Sequence, residues 1–269
     1  MGYQALDTDG TGNVLIAPTF LKVSESNTVT LADLKVTGYT PASWQQVGKV
    51  WKNVGGCTGA AFVMQTLTTS GLKDQAYYWL DYMTSATSKV GPGWFADANA
   101  TLIPGGEGAV KLDAGKAFWI QGSGYSLQPA GAVNPFDVEY KTDAIGNVAI
   151  GNSMPVSTKL SDLTVTGYTP PAWQQVGKVW KNVGGCTGAA FVMQTLTTSG
   201  LKDQAYYWLD YMTSQTTKVG PGWFADANAT PIEGGADKIV FDAGKGLWVQ
   251  GSGYNLIVPA PELDAKSED

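Results

Sequence analysis

Val36-Thr-Gly-Tyr-Thr-Pro41 recurs 129 residues later as Val165-Thr-Gly-Tyr-Thr-Pro170, and this repetition organises the whole chain. Across residues 36–101, only four of 66 positions differ between the two copies. A period of this length matches a whole domain and is too long for a solenoid repeat. We therefore expect two homologous modules in tandem, residues 1–133 and 134–269, with a short acidic tail after the second.

The near-identity of the two copies has two explanations. One is a recent duplication. The other is that both modules present the same surface because they meet the same neighbour. Head-to-tail contact between like modules is a heterologous interface, which closes into a ring or extends as an open filament. Because one copy would suffice for an active site, the repeat favours multivalent binding or assembly over catalysis.

The composition excludes several chemistries. Charged residues make up 15% of the 269 residues, against about 25% in a typical soluble domain. All 17 basic residues are lysine, and the chain has neither Arg nor His. A Ser-His-Asp triad, a Cys-His dyad and a His-ligated zinc are therefore excluded. With a net charge of −6, a nucleic-acid partner is not expected. We predict a non-enzymatic protein without a cofactor.

The residue pattern predicts a mainly β fold. Thr, Val, Tyr and Trp suit half-buried strands, and turn signals separate many short β-prone runs. A hairpin is expected over residues 61–83, with Ala76, Tyr78, Leu80 and Tyr82 on its core face. Each module is expected to be β-sandwich-like. One short helix per module is also expected, which makes the fold formally α+β, because Trp44, Val47, Trp51 and Val54 follow helical spacing after Thr40-Pro41.

A second repeated motif carries a resemblance. Gly115-Lys-Ala-Phe-Trp-Ile-Gln-Gly122 recurs as Gly244-Lys-Gly-Leu-Trp-Val-Gln-Gly251. It resembles segments of secreted, tandem-repeat β proteins of bacterial surfaces, and is similar to uncharacterised surface or filament-forming proteins with paired β modules. The resemblance implies an extracellular or cell-surface architecture and carries over no catalytic residue.

The start of the chain shows no secretory leader, since Met1-Gly-Tyr-Gln-Ala-Leu-Asp7 has neither a basic nor an apolar region. Either the protein is not exported, or this is a form whose leader has been removed. No run of apolar residues is long enough for a membrane span.

One cysteine lies in each module, Cys57 in the first and Cys186 in the second. A bridge within one module is therefore impossible. Buried thiols, an inter-domain Cys57–Cys186 bridge and intermolecular bridges remain open, and the inter-domain bridge requires the Cα atoms to lie within about 7 Å. Without a His to act as base, a catalytic cysteine is not expected.

The aromatic residues offer the best candidates for binding. Trp79 and Trp94, with their counterparts Trp208 and Trp223, are expected to be exposed, either as interface anchors or as a platform for sugars. Trp44, Trp51 and Trp119 are expected to fill the core.

Two further chemistries involve carboxylates. A hydrolase would need two of the repeated Asp residues to flank a bond. Asp97-Ala-Asn99 resembles part of a calcium loop but lacks the remaining ligands.

These patterns predict a structural protein whose two modules self-assemble head-to-tail into an extracellular filament, sheath or surface layer. The alternative is a tandem carbohydrate-binding or adhesin module that uses exposed Trp and Tyr. The expected partner is a second copy of the chain, or a glycan.

Overall fold

The computed structural model describes residues 2–3, 6–7, 13–17, 29–68, 71–112, 117–121, 126–131, 136–141, 147–152, 156–197, 200–251 and 253–260. The strands of the first module are β1 (Gly2–Tyr3), β2 (Leu6–Asp7), β3 (Asn13–Ile16), β4 (Val29–Thr30), β5 (Leu34–Thr37), β6 (Ser43–Val47), β7 (Val50–Val54), β8 (Cys57–Thr68), β9 (Gly71–Met83), β10 (Lys89–Phe95), β11 (Lys111–Leu112), β12 (Phe118–Gln121) and β13 (Ser126–Gly131). Those of the second are β14 (Val138–Lys141), β15 (Asn147–Gly151), β16 (Thr158–Lys159), β17 (Thr164–Thr166), β18 (Ala172–Val176), β19 (Val179–Val183), β20 (Cys186–Thr197), β21 (Gly200–Met212), β22 (Lys218–Phe224), β23 (Val240–Phe241), β24 (Gly246–Gln250) and β25 (Asn255–Val258). Single 3-10 turns cover Leu31–Asp33, Glu107–Ala109, Leu160–Asp162 and Ala236–Lys238. The predicted mainly β fold is confirmed.

The two modules share one sheet topology. In the first, a five-stranded antiparallel sheet has the order β10-β9-β8-β12-β3, and a smaller sheet pairs β13 with β1, β2 and β5. In the second, the corresponding orders are β15-β24-β20-β21-β22 and β14-β25-β17. Each sheet among the described strands is built from one repeat alone.

Each module has its own sandwich-like core between these two sheets. In the first, Leu34 and Val36 of the smaller sheet lie in one buried cluster with Trp79 and Ile120 of the larger sheet. A separate cluster in the second module contains the corresponding residues, among them Val165, Trp208, Val249 and Leu256. The division at residues 133 and 134 stays a prediction, because residues 132–135 lie outside the described part of the chain.

The predicted short helix is wrong. Residues 43–54 form the antiparallel hairpin β6–β7, which pairs Val47 with Val50 across a two-residue turn. Gly48 occupies the first turn position with φ +67°, the conformation that a type II′ turn needs there. In the hairpin, Trp44 and Trp51 lie on one face and Val47 and Val54 on the other, so the four residues do not form the single apolar face that their helical spacing predicted. Gly48 favours the hairpin because glycine weakens a helix interior.

The two modules touch through reciprocal contacts. The backbone N–H of Ala17 donates to the carbonyl oxygen of Gly244 over 2.9 Å, and Ile16 forms an antiparallel bridge with Lys245. Strand β3 lies against β24 and β20, while its counterpart β15 lies against β8. Reciprocal contacts are typical of an isologous interface. Head-to-tail contacts between chains would therefore use other surfaces.

Candidate functional site: the exposed tryptophan hairpins

The four tryptophans that the sequence predicts to be exposed lie inside the modules. Trp79, Trp94 and Trp208 are at most 8% exposed, and Trp223 is half-buried against the second core. The expected exposure is therefore wrong, and these rings cannot form a surface platform. Their own polar groups explain the burial. The indole N–H of Trp94 donates to the carbonyl oxygen of Leu34 over 2.9 Å, which links the two sheets.

The buried indoles also pack on each other. Trp79 and Trp94 are directly paired across β9 and β10, with ring centroids 5.4 Å apart and planes inclined by 73°. Trp208 and Trp223 repeat this at 5.3 Å and 72°. Edge-to-face pairs of this geometry contribute about 0.5–1.5 kcal/mol beyond the area that they bury. Each aromatic pair thus stabilises the larger sheet of its module on the side that packs against the core.

A buried carboxylate lies beside each pair. Asp81 is 2% exposed, and its Oδ1 lies 2.9 Å from Nζ of Lys89. The hydroxyl of Tyr39 donates to its Oδ2 over 3.1 Å. Burial raises the pKa of the Tyr39 phenol above its usual value. The second module repeats the arrangement with Asp210, Lys218 and Tyr168. Because acid and base neutralise each other here, the arrangement is a structural ion pair.

The strand that carries Asp81 therefore turns the opposite face to the core from the one expected. Tyr77 and Trp79 share the buried face with Asp81, whereas Tyr78 and Tyr82 are only half-buried. Leu80 is also buried, at 1% exposure, so the strand is covered on both sides at that point. An Asp in the alternation argues for a solvent face. The core position is possible because of two partners, Tyr39, which lies 42 residues away, and Lys89 on the neighbouring strand β10.

The two candidate cysteines carry thiols, and no disulfide joins them. Cys57 and Cys186 are 5% and 7% exposed and belong to the separate cores of their modules. The inter-domain bridge is thus not formed. Burial also keeps both sulfurs away from a neighbouring chain, so this structure does not offer them for an intermolecular bridge.

The acidic loop at Asp97 closes on itself. Its Oδ1 accepts the backbone N–H groups of Asn99 and Thr101, and its Oδ2 accepts the Thr101 hydroxyl over 2.7 Å. The Thr101 hydroxyl is the main cause of a pKa for Asp97 below the usual value. Within the described ranges, no group of three or more Asp, Glu or Cys side chains is placed to hold a metal ion. The loop is an Asx-type turn.

The solvent-exposed aromatic surface lies instead on hairpin β6–β7 and on its repeat β18–β19, which we call the tryptophan hairpins. In the first, Val47, Val50 and Trp51 are 41%, 60% and 56% exposed. In the second, Val176, Val179 and Trp180 are 41%, 60% and 48% exposed.

Trp51 was expected in the core, and that prediction is wrong. Trp44 is half-buried, and the side chain of Trp119 lies outside the described part of the chain. Val47 and Val50 pair with each other on one face of the hairpin, and Trp51 lies opposite Gln46 on the other face. Each hairpin thus exposes apolar side chains on both faces, and clustered exposed apolar residues mark interaction sites.

The base of each tryptophan hairpin is firmly attached to its module. The side chain of Asn53 accepts the backbone N–H of Met83 over 3.1 Å and donates to the carbonyl oxygen of Gly55 over 3.0 Å. The backbone N–H of Gly56 donates to the carbonyl oxygen of Thr40 over 2.7 Å. A Cβ at Gly56 would collide with the carbonyl oxygen of Asp81, so only glycine lets the strands approach this closely. The hairpin is therefore presented in one orientation.

The tryptophan hairpins differ in charge from the rest of the chain. Each contains two lysines and no acid, namely Lys49 and Lys52 in the first and Lys178 and Lys181 in the second. These are four of the 17 lysines, so 13 lysines face 23 acids elsewhere. The site is thus apolar and basic on an acidic protein. A Val-Gly-Lys-Val turn flanked by Trp was the sequence signal that could have located it.

Comparisons with known protein families, with curated proteins and with solved structures found no match. Among the described residues, no helix is both long and apolar enough to cross a membrane. Support for a function therefore comes from the chain's own geometry.

Proposed function

We propose that this is a non-enzymatic structural protein of the extracellular space or cell surface, whose chains self-assemble head-to-tail into a filament, sheath or surface layer. The observation that carries the proposal is the pair of tryptophan hairpins, one on each module, with the same exposed apolar side chains. Two equivalent attachment points per chain are what a polymer needs. The resemblance to secreted tandem β proteins supports the location.

The exposed side chains supply a driving force for association. Fully burying a large apolar side chain is worth about 1.5–3 kcal/mol. Val47 and Val50 lie on the face opposite Trp51, so a partner must contact both faces of the hairpin to cover all three. Covering their exposed halves would contribute about 3 kcal/mol per hairpin, before the entropy cost of association. One such contact is weak. Two on a single chain act together through a high effective concentration, which makes assembly favourable.

The charges favour a head-to-tail contact. Two tryptophan hairpins placed against each other would bring four lysines together with no acid between them. Docking of a hairpin on a different, acidic surface of the neighbouring chain avoids this repulsion. Such an interface is heterologous, and it extends as a filament unless its rotation closes a ring.

The test compares the molar mass of the wild type with that of Trp51→Ser/Trp180→Ser, by light scattering and negative-stain microscopy over a range of concentrations. The wild type is expected to form polymers and the variant to remain monomeric. Leu102→Ser/Phe136→Ser is the matched control, since it removes two residues of 77% and 70% exposure outside the hairpins. Monomeric wild type at high concentration would refute the proposal. Equal assembly of wild type and hairpin variant would refute the role of the hairpins.

A tandem glycan-binding module is the second candidate. It is favoured by the exposed indole of Trp51, which lies across the ladder from the amide side chain of Gln46. Indoles stack on sugar faces and amides bond to hydroxyls. This reading predicts a glycan-array signal that Trp51→Ala/Trp180→Ala removes, with the wild type remaining monomeric. An array without signal would eliminate it.

A further inference from the structure

The loop that follows β10, and its counterpart after β22, carry the same five residues. They read Asp97-Ala-Asn-Ala-Thr101 in the first module and Asp226-Ala-Asn-Ala-Thr230 in the second. Each contains Asn-Ala-Thr, which is the acceptor pattern for N-linked glycosylation. Of the ten asparagines in the chain, only Asn99 and Asn228 match this pattern. A glycan of this kind is bulky, so the pattern acts only where the fold exposes the asparagine side chain.

Asn99 lies at the tip of its loop. Ala98 and Asn99 are the central residues of a turn that the backbone N–H of Ala100 closes by donating to the carbonyl oxygen of Asp97 over 3.3 Å. Ala100 has φ +64°, a left-handed conformation that non-glycine residues adopt mainly in turns. The Asn99 side chain is exposed, and its amide makes no hydrogen bond with any described residue. Both of its sequence neighbours are alanines, so neither shields Nδ2.

The second loop repeats this geometry. The backbone N–H of Ala229 donates to the carbonyl oxygen of Asp226 over 3.3 Å, Ala229 has φ +64°, and Asn228 is exposed. The residue after the loop differs, since Leu102 follows the first and Pro231 follows the second. Because the geometry is unchanged, the five shared residues account for it. The two modules therefore present two equivalent acceptor asparagines.

The acceptor loop and the tryptophan hairpin lie at opposite ends of β10. This strand runs from Lys89, which pairs with Met83, to Phe95. The backbone N–H of Met83 is bonded to Asn53 at the base of the tryptophan hairpin. Asn99 follows the other end of β10, and seven strand residues span about 20 Å. A glycan on Asn99 therefore begins far from the base of the hairpin and leaves the hairpin accessible for docking.

We infer that Nδ2 of Asn99 and Nδ2 of Asn228 each carry an N-linked glycan. The donor is an oligosaccharide on a polyprenyl diphosphate, and a membrane-bound oligosaccharyltransferase makes the transfer. The bond between Nδ2 and the sugar C1 forms while the bond from C1 to the diphosphate oxygen breaks. The polyprenyl diphosphate leaves, and a base of the transferase takes the Nδ2 proton. The inference rests on the extracellular location in the proposed function, because this transfer takes place during export.

The acceptor loop must open for the transfer. Its threonine hydroxyl belongs to the acceptor pattern, and in the folded loop the Thr101 hydroxyl donates to Oδ2 of Asp97 over 2.7 Å. The hydrogen bonds around Asp97 are exposed, so water replaces them as the loop opens. Once attached, the two glycans mark surface that a neighbouring chain does not cover. The head-to-tail contact must therefore leave both loops in solvent.

The test is mass spectrometry of the protein isolated from its native source, compared with two variants made in the same cells. Trypsin cleaves after lysine, so Asn99 lies in the peptide 90–111 and Asn228 in the peptide 219–238. Asn99→Gln/Asn228→Gln removes both acceptors and keeps the loop, because Asn99 gives only its backbone N–H to Asp97. Thr101→Ser/Thr230→Ser is the matched control, because serine retains the hydroxyl that the pattern requires.

We expect both wild-type peptides to gain the mass of a glycan, and an amidase that releases N-linked glycans to leave Asp at each position. The serine control should keep both glycans, the glutamine variant should lose both, and Asn53, which lies outside the pattern, should be unmodified. Bare peptides from protein recovered outside the cell would overturn the inference and leave the proposed function standing. Glycosylated chains that stay monomeric would support the inference and refute the proposed assembly. Protein found only in the cytoplasm would overturn both.

Discussion

The indole Nε1–H of Trp79 donates to the hydroxyl oxygen of Tyr39 over 2.9 Å, across 40 residues of sequence. The same hydroxyl donates its own proton to Asp81, so one phenol satisfies two buried polar groups. Trp208 and Tyr168 form the equivalent bond over 3.2 Å. This relay makes the inward orientation of the tryptophan possible, because an indole N–H without a partner would be costly in the core.

Removal of the relay hydroxyl should destabilise the fold. In Tyr39→Phe, the Trp79 indole and Asp81 each lose a partner, and we expect the free energy of unfolding to fall by about 1–3 kcal/mol. Chemical denaturation followed by tryptophan fluorescence measures the loss. Tyr82→Phe is the control, because Tyr82 is a half-buried phenol on the opposite face of β9. Equal stability of the two variants would contradict the structural role of the relay.

The titration of Tyr39 and Tyr168 should also be shifted. Burial raises both pKa values above the usual 10.0. Because the folded state holds these protons more tightly, their contribution to stability is complete below pH 10 and is lost as the pH rises through the folded-state pKa. Ultraviolet difference absorbance of the phenolates should show a late-titrating fraction, which shrinks in Tyr39→Phe. A single transition at the ordinary pKa in the folded protein would disprove the shift.

The repeats provide their own control at Gly93 and Gly222. A Cβ at Gly93 would lie 2.8 Å from Oε1 of Glu107, the atom that accepts the backbone N–H of Trp94 over 2.6 Å. At Gly222 the same Cβ would meet no atom within 4 Å, because Ala236 replaces the glutamate.

Gly93→Ala should therefore be less stable than Gly222→Ala by about 1 kcal/mol, the worth of one buried hydrogen bond. Thermal and denaturant unfolding of the two single variants measure the difference. The prediction fails if both substitutions change stability equally, or if Gly222→Ala is the more harmful.

The thiols of Cys57 and Cys186 should be unreactive in the native protein. Both side chains are at most 7% exposed, so a thiol reagent must await unfolding. Labelling should rise to two thiols per chain in denaturant. Native and assembled protein should also run as a monomer on non-reducing gels. A disulfide-linked dimer there would show that assembly exposes a cysteine that this structure buries.

The spacing of apolar residues did not predict the hairpin at residues 43–54. Trp44 and Trp51 share a face in a helix and also in this hairpin, so their spacing was compatible with both structures. The turn at Gly48–Lys49 was the distinguishing feature, since a type II′ turn requires a positive φ at its first position. The spacing of these two residues does not reveal whether the rest of the module packs against a helix or against a hairpin.

The sequence by itself determined the tandem repeat, the mainly β fold and the exclusion of chemistry that needs His or Arg. These follow from residue identity and composition, which do not depend on three-dimensional contacts. Only the tertiary structure decided which tryptophans lie inside. Alternation along β9 defines two faces but does not say which one meets the second sheet. That choice depends on Tyr39, which donates a hydrogen bond to Asp81, and on Lys89, which neutralises its charge. Both lie on other segments, and they allow the face of β9 that carries Trp79 to be buried.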